Sequence, residues 1–544
     1  MTAPSAPPVS RTLAALIEEM AQSHASVPAI ICGGDRLSYR DLEAESAAVA
    51  RGLMALGAGP GERVAALMSN RPEFLVLYFA VARTGAVFAP LNTWHKPPEL
   101  AWTLRHLEPR VLIVEAAFAG RDYAAEVQGL ITDLAASEPG GLNDPAWPSL
   151  RSVVVLGTAR PGMLDWDSLQ TAGRGVTRVD LDQRSSSVSP DQTFQILYTS
   201  GSTADPKGVT LTHRSTVENC FNIGERRALE AGDLVWMGSP LFYALGAVNG
   251  IPATLTHGAT LVTQGRFDPE AALDTIERLQ VNVLYSTSNI IRALYESPAY
   301  SRRRVRSLEK GAAGISVAER RLLIEEMGAG LATQSFGLTE VYGHCAVGFP
   351  QDSLRTKLET DGAPLPGNEF KIVDPESGER LVAGRPGLLL VRGHVSREYF
   401  RDPEATAGAW DEEGFFATGD LGHLDADGYF HFQARLKEVI KTRGINVSPA
   451  DLEQILMAHP DIKQAHVVGI PDPRQGELVV AFVEAPGLDE GGVQDFVRRR
   501  AASFKVPARV FFRTDAELPR VASGKVPKFR LRDEAMRELT GDAG

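Results

Sequence analysis

The chain has 544 residues, 44% hydrophobic and 23% charged, the balance of a globular protein long enough to bury its core without disulfides or metal staples. Its 56 Lys and Arg against 68 Asp and Glu leave a net charge of −12, which argues against nucleic acid as the main partner, since phosphate backbones need a strong cationic field. Cys32, Cys220 and Cys345 stand far apart with no C-x-x-C spacing, which excludes a disulfide framework or a cysteine zinc site and fits a reducing compartment.

Residues 1–10, MTAPSAPPVS, read as a disordered Pro/Ser/Ala tail, without the basic start and long apolar run of a secretory signal. The apolar stretch Phe74 to Ala82 is about half as long as a membrane span requires. The expectation is a cytoplasmic chain with no membrane span. Ser38–Leu56 predicts a helix, with Leu42, Val49, Leu53 and Leu56 on one face and Gly57 as the stop. A strand at Arg63–Met68, a helix at Pro72–Arg83 ending before Gly85, and a strand at Val87–Pro90 follow. This alternation predicts layered α/β architecture with a partly parallel sheet. Residues 135–150 and 182–192, rich in Gly, Pro, Ser and Asp, read as surface loops. Past Asp420 the pattern shifts to shorter strands and charged helices, and Ser448-Pro449-Ala450-Asp451 is a helix start. A boundary near Arg435–Lys437 divides the chain into a large domain at 11–435, of layered helices and sheets, and a smaller α+β domain at 436–544.

The most informative segment is QILYTSGSTADPKGVTLT at 195–212. Strands at Gln195–Tyr198 and Val209–Thr212 flank a turn crowded with hydroxyls, glycine N–H groups and Lys207, a combination able to wrap phosphate oxygens. It is no Walker loop, because G-x-x-x-x-G-K-[ST] is absent and no helix follows directly.

Further motifs follow in order: Gly311-Ala312-Ala313, Phe336-Gly337-Leu338-Thr339-Glu340, Asp361 to Gly367, Thr418-Gly419-Asp420, Arg435-Leu436-Lys437, Lys441 to Gly444 and Ser523-Gly524-Lys525. Together they closely resemble the signatures of the adenylate-forming superfamily, which includes acyl-CoA synthetases, peptide-synthetase adenylation domains and luciferases, and lie nearest its acyl-CoA ligases. The resemblance implies that a carboxylate attacks ATP to give acyl-AMP, and that a thiol then takes the acyl group. It implies that Thr199, Ser200, Gly201, Ser202, Thr203 and Lys207 hold the β- and γ-phosphates, that Gly311, Ala312, Ala313 and Phe336 meet the adenine, and that Asp420 and Arg435 meet the ribose. Glu340 would ligate Mg²⁺ beside Thr339 on the α-phosphate, and Lys525 would bridge the carboxylate and that phosphate. Lys437 matches the hinge of a small domain that turns, withdrawing Lys525 and presenting Lys441 and Gly444 for transfer to CoA. His344, with no H-E-x-x-H pattern or third ligand, reads as a packed histidine near the site.

Ser239 to Gly246 resembles the segment lining the acyl pocket, with Phe242, Tyr243, Gly246 and Gly337 as its contacts. No aspartate follows Phe242 to pair with a substrate amine, which disfavours an α-amino acid. Gly238, Gly246, Ala247 and Gly250 suggest room for an uncharged aryl, alicyclic or medium-to-long acyl acid. Two departures from the family pattern, Ala204 where a second glycine is usual and Tyr243 where histidine is common, suggest slowed or delegated adenylation; alanine at positive φ costs about 1–2 kcal/mol. The expected reactants are ATP, Mg²⁺, CoA and a carboxylic acid. The rivals are loading of a carrier protein, use of supplied acyl-AMP, and a non-catalytic acyl or nucleotide sensor.

Overall fold

A computed structural model of the chain describes residues 7–199, 206–314, 316–442, 445–472, 474–520 and 526–540. Two mostly parallel sheets lie on either side of a helical layer. One has seven strands, in the order Leu164–Asp165, Ser152–Leu156, Val111–Glu115, Arg63–Leu67, Val87–Pro90, Thr193–Thr199, Lys207–Thr212. The other has six, in the order Lys310–Gly311, Val283–Leu284, Leu234–Met237, Thr260–Thr263, Pro28–Cys32, Asp35–Ser38. Alternate residues of one strand enter different cores: Val64 and Ala66 pack on the central helices, Ala65 and Leu67 on the outer ones. That is the period-two geometry of a strand covered on both faces.

The helix Pro72–Thr84 carries this arrangement. Proline opens it, Gly85 at φ 71° closes it, and every residue from Phe74 to Thr84 is buried. A helix apolar all round belongs in the interior, and this one lies in the core shared by both sheets. Tyr39–Ala55 packs beside it, started by a capping box in which Ser38 and Asp41 bond each other's backbone. The predicted elements here match the structure to within a residue or two.

Of the two loop expectations, one needs correction. The first half of 182–192 belongs to a helix, Arg178–Ser186, started by a Thr177–Asp180 capping box. Residues 135–150 are irregular and mostly exposed, as expected, with Leu142, Trp147 and Leu150 anchoring them in the outer core. An antiparallel sheet of Glu369–Val373, Gly387–Arg392, Phe416–Leu424 and Phe430–Arg435 completes the large domain.

The smaller C-terminal domain has its own five-stranded sheet. Leu452, Leu456, Val493 and Val497 pack on one face of it and Leu531 and Ala535 on the other. Its strands Gln464–Asp472 and Gly476–Glu484 have nine residues each, against the expectation of shorter ones. No residue of its two cores precedes Ile440. Among the described residues, no helix is long and apolar enough to cross a membrane.

Candidate active site

The hairpin Thr193–Thr199/Lys207–Thr212 pairs Thr199 with Lys207, so its register sets both residues at the mouth of the intervening turn. The segment 396–400 is tied alongside: Phe400 N donates to Gly208 O at 2.7 Å and Tyr399 bridges Val209. Tyr399 therefore stands between two predicted residues. Lys207 Nζ lies 4.5 Å from its ring centroid, and its hydroxyl donates to Glu340 Oε1 at 3.0 Å. Burial and the Glu340 carboxylate both push the Tyr399 phenol well above its ordinary pKa, so it stays a proton donor.

Glu340 sits in the turn Thr339–Val341. Its carbonyl accepts from Ser396 N at 2.6 Å, and Tyr342, at φ 57°, offers its phenol oxygen to Thr212 N at 2.8 Å. The turn is thus pinned to the hairpin strand on one side and to the 396–400 segment on the other. Sequence reasoning missed Tyr399, and only the fold brings it to its partners.

Asp420 and Arg435 face each other on adjacent antiparallel strands, with Arg435 Nε 2.7 Å from Asp420 Oδ1. The carboxylate is almost wholly buried while the guanidinium is half exposed. Burial and the Asp420 charge raise the pKa of the neighbouring Cys345 thiol. Cys345 N donates to Phe336 O at 3.1 Å, and the Phe336 ring packs 4.8 Å from Phe430. The chain at Gly311 runs so close to the next strand that an added Cβ would lie 2.2 Å from Leu284 O, and φ is +151°, so only glycine fits. Ala312 and Ala313 follow, paired to Thr333.

Phe242 and Tyr243 pack on each other at 4.6 Å and on Trp94 at 5.6 and 5.7 Å. The room expected at the nearby glycines is already filled. An added Cβ would meet Trp236 at Gly238, the Leu241 backbone at Gly246 and Met237 at Gly250; Ala247 is buried in a core cluster. These small residues admit neighbouring protein, not ligand. Gly337 likewise lets the backbone of Gly343 approach.

Beneath Phe336 and Gly337 lies a cluster the sequence did not signal. His344 is packed, as expected, with Nδ1 2.7 Å from Asn249 Nδ2 and 3.3 Å from Arg227 Nη2. Ser335 Oγ stands 3.3 Å from His344 Nε2 and accepts from Arg227 Nη2 at 3.3 Å. Burial and the Arg227 charge hold His344 neutral, well below its ordinary pKa.

Lys441 lies in the C-terminal sheet, exposed, opposite Asn446, with its N–H on Glu477 Oε2 at 2.7 Å. Lys437 belongs to the short turn Leu436–Glu438. Lys528 binds Glu453 at 2.9 Å and Glu438 at 3.3 Å, tying the last helix to that turn. Ser200, Gly201, Ser202, Thr203, Ala204, Gly444 and Lys525 lie outside the described residues.

Residues 17–400 match the AMP-binding enzyme family and residues 451–525 its C-terminal domain. A putative acyl-CoA synthetase, YngI, of Bacillus subtilis is 31% identical over 538 residues, covering 97% of this chain and 98% of its own. ATP-bound MatB from Rhodopseudomonas palustris superposes with a TM-score of 0.80 at 26% identity, over 98% of this chain and 99% of that one. The anthranilate CoA ligase AuaEII, solved with anthranoyl-AMP, gives 0.82 at 25% identity over 98% and 99%. The chain belongs to the AMP-binding enzyme family, the adenylate-forming superfamily, close to its acyl-CoA ligases. It is an ATP-dependent, AMP-forming acid–thiol ligase.

Proposed function

We propose that the chain activates a carboxylic acid with no α-amino group and an apolar body as acyl-AMP, and transfers the acyl group to CoA. The observation carrying this reading is the Lys207–Tyr399–Glu340 cluster at the mouth of the hairpin turn. Adenylation spreads negative charge over phosphate oxygens, so it needs fixed cations and donors rather than a protein nucleophile. Lys207 and Thr199, with residues 200–203 between them, supply these for the β- and γ-phosphates. Asp420, acceptor-only when ionised, takes the ribose hydroxyls while Arg435 holds it. Gly311, Ala312, Ala313 and Phe336 form the adenine wall, and Thr339 meets the α-phosphate.

Among the described residues no group of acidic, His or Cys side chains could hold a metal ion alone. Glu340 offers one carboxylate, which fits Mg²⁺ carried on nucleotide phosphates, its usual mode of binding. There the ion would neutralise developing charge.

Trp94, Phe242 and Tyr243 supply the apolar wall for the acid, and the likeness to an anthranilate CoA ligase is in keeping with an aryl acid there. Lys525 steadies the first step, and a turn of the domain beginning near residue 436, about Lys437, brings Lys441 and Gly444 to the second. ATP–pyrophosphate exchange over pooled acids tests the first step, and CoA or a phosphopantetheinylated carrier added afterwards tests the second. Exchange in one pool with mass gained by CoA is the expected result. Mass gained by the carrier alone overturns the acceptor, and thioester formed only from supplied acyl-AMP overturns the first step.

A further inference from the structure

Arg227 ends the helix His213–Arg226 and is fully buried. Its guanidinium carbon lies 4.5 Å from the Tyr285 ring centroid, and Nη2 reaches Ser335 and His344. No carboxylate among the described residues pairs with it, and its Nε and Nη1 have no hydrogen-bond acceptor there. The titratable groups facing it are Tyr285, whose phenol pKa burial raises to about 12, and His344, held neutral. The cluster therefore carries one uncompensated positive charge. Burial without a counter-ion is costly, and one cation–π contact returns only part of that cost.

The surroundings of this charge belong to the acid side of the site. Ser335 precedes Phe336 in one strand, His344 backs Gly337, and Asn249, whose Oδ1 is also buried without a partner, lies on the helical turn Leu245–Gly250 that follows Phe242 and Tyr243. Ser239 Oγ, three residues before Phe242, and Ser286 Oγ, next to Tyr285, are buried without partners as well. Arg227 shares no contact with the Lys207–Tyr399–Glu340 cluster, so it is not part of the phosphate cradle.

We propose that Arg227 receives a second anionic group at the far end of the acid, so that the enzyme activates a dicarboxylic acid or another acid ending in an anion. This rests on the acyl-CoA ligase reading and deepens it. The body of the acid remains apolar against Trp94 and Phe242. Its distal oxygens accept from Arg227 Nε and Nη1, with Asn249, Ser335 and neutral His344 completing the cradle. A planar guanidinium suits a carboxylate better than an ammonium does.

The test uses calorimetric titration of acids matched in carbon skeleton (hexanoate with adipate, octanoate with suberate, benzoate with terephthalate), and ATP–pyrophosphate exchange on the same acids. Wild-type protein should bind one diacid at least ~100-fold more tightly than its monoacid, as expected for filling a buried charge site. Arg227→Met should abolish that ratio, and Arg227→Lys should keep part of it. Because Met removes a buried unpaired charge, Arg227→Met should melt no lower than wild type. Monoacids bound as well as diacids by wild type, equal loss for both in Arg227→Met, or no diacid bound at all would each overturn the proposal. A melting temperature well below wild type with the ratio intact would make Arg227 a packing residue. Diacid binding without exchange would sustain the Arg227 site and sink the ligase reading.

Discussion

The two charged regions of the large domain are built on opposite terms. On the phosphate side, charges meet partners within the chain: Lys207 over Tyr399, Tyr399 on Glu340, and Arg435 on Asp420. On the acid side, Arg227 is buried deeper than any of these cations and has no carboxylate among the described residues. In the reading proposed above, the first arrangement holds donors in place for a reactant that brings its own charge and its own cation. The second leaves a charge for the reactant to complete. A cradle organised in advance favours rate, whereas an uncompensated site favours choice of substrate.

Removing the cation of the paired side should have the largest effect. Lys207→Met is expected to lower kcat/KM for ATP by about 100- to 1,000-fold in pyrophosphate exchange, the scale of losing one donor to developing charge. Asp420→Ala should come next, raising KM for ATP by about ten- to thirtyfold with kcat nearly kept, read from initial rates. Tyr399→Phe keeps the ring under Lys207 and loses only the bond to Glu340. About a three- to tenfold rise in the Mg²⁺ needed for half-maximal rate is expected, and Tyr399→Leu should exceed it.

The smallest effect lies outside both regions, in the C-terminal domain. His466, 2.8 Å from Gln464 Nε2, has its pKa lowered to about 4 by burial and by the charges of Lys528 and Arg520. The unfolded chain takes up that proton near pH 6.5 and the folded one only near 4. Stability is therefore full above the unfolded value and falls as pH drops between the two, by on the order of 2 kcal/mol for a partly exposed group. His466→Gln should flatten that part of the melting-temperature profile and leave exchange activity at pH 7.5 unchanged.

Local structure was legible where local chemistry determines it. The Ser38–Asp41 cap, the proline and glycine bounding Pro72–Thr84, and the strands around the phosphate turn all follow from short-range preferences. Where cause lies in the tertiary fold, the sequence was silent or misleading. Asp420 faces Arg435 only through strand register, and Tyr399 meets Lys207 and Glu340 from a distant segment. Arg227, in the run GERRALEAGD, is buried, and no local pattern signals it. Gly238, Gly246 and Gly250 looked like space for a ligand and are space for Trp236, Leu241 and Met237. The loop expected at 182–192 lost half its length to a helix because Thr177 and Asp180 cap it just upstream and Asp182 pairs with Arg178.

An acyl-adenylate intermediate is the step on which everything else depends. A single turnover with enzyme in excess over ATP, quenched at intervals and read by mass spectrometry, follows it directly. Acyl-AMP and pyrophosphate should appear first, and AMP and acyl-CoA should then form in equal amounts as acyl-AMP decays. ADP and phosphate as products, or acyl-CoA formed with no AMP, would contradict this chemistry.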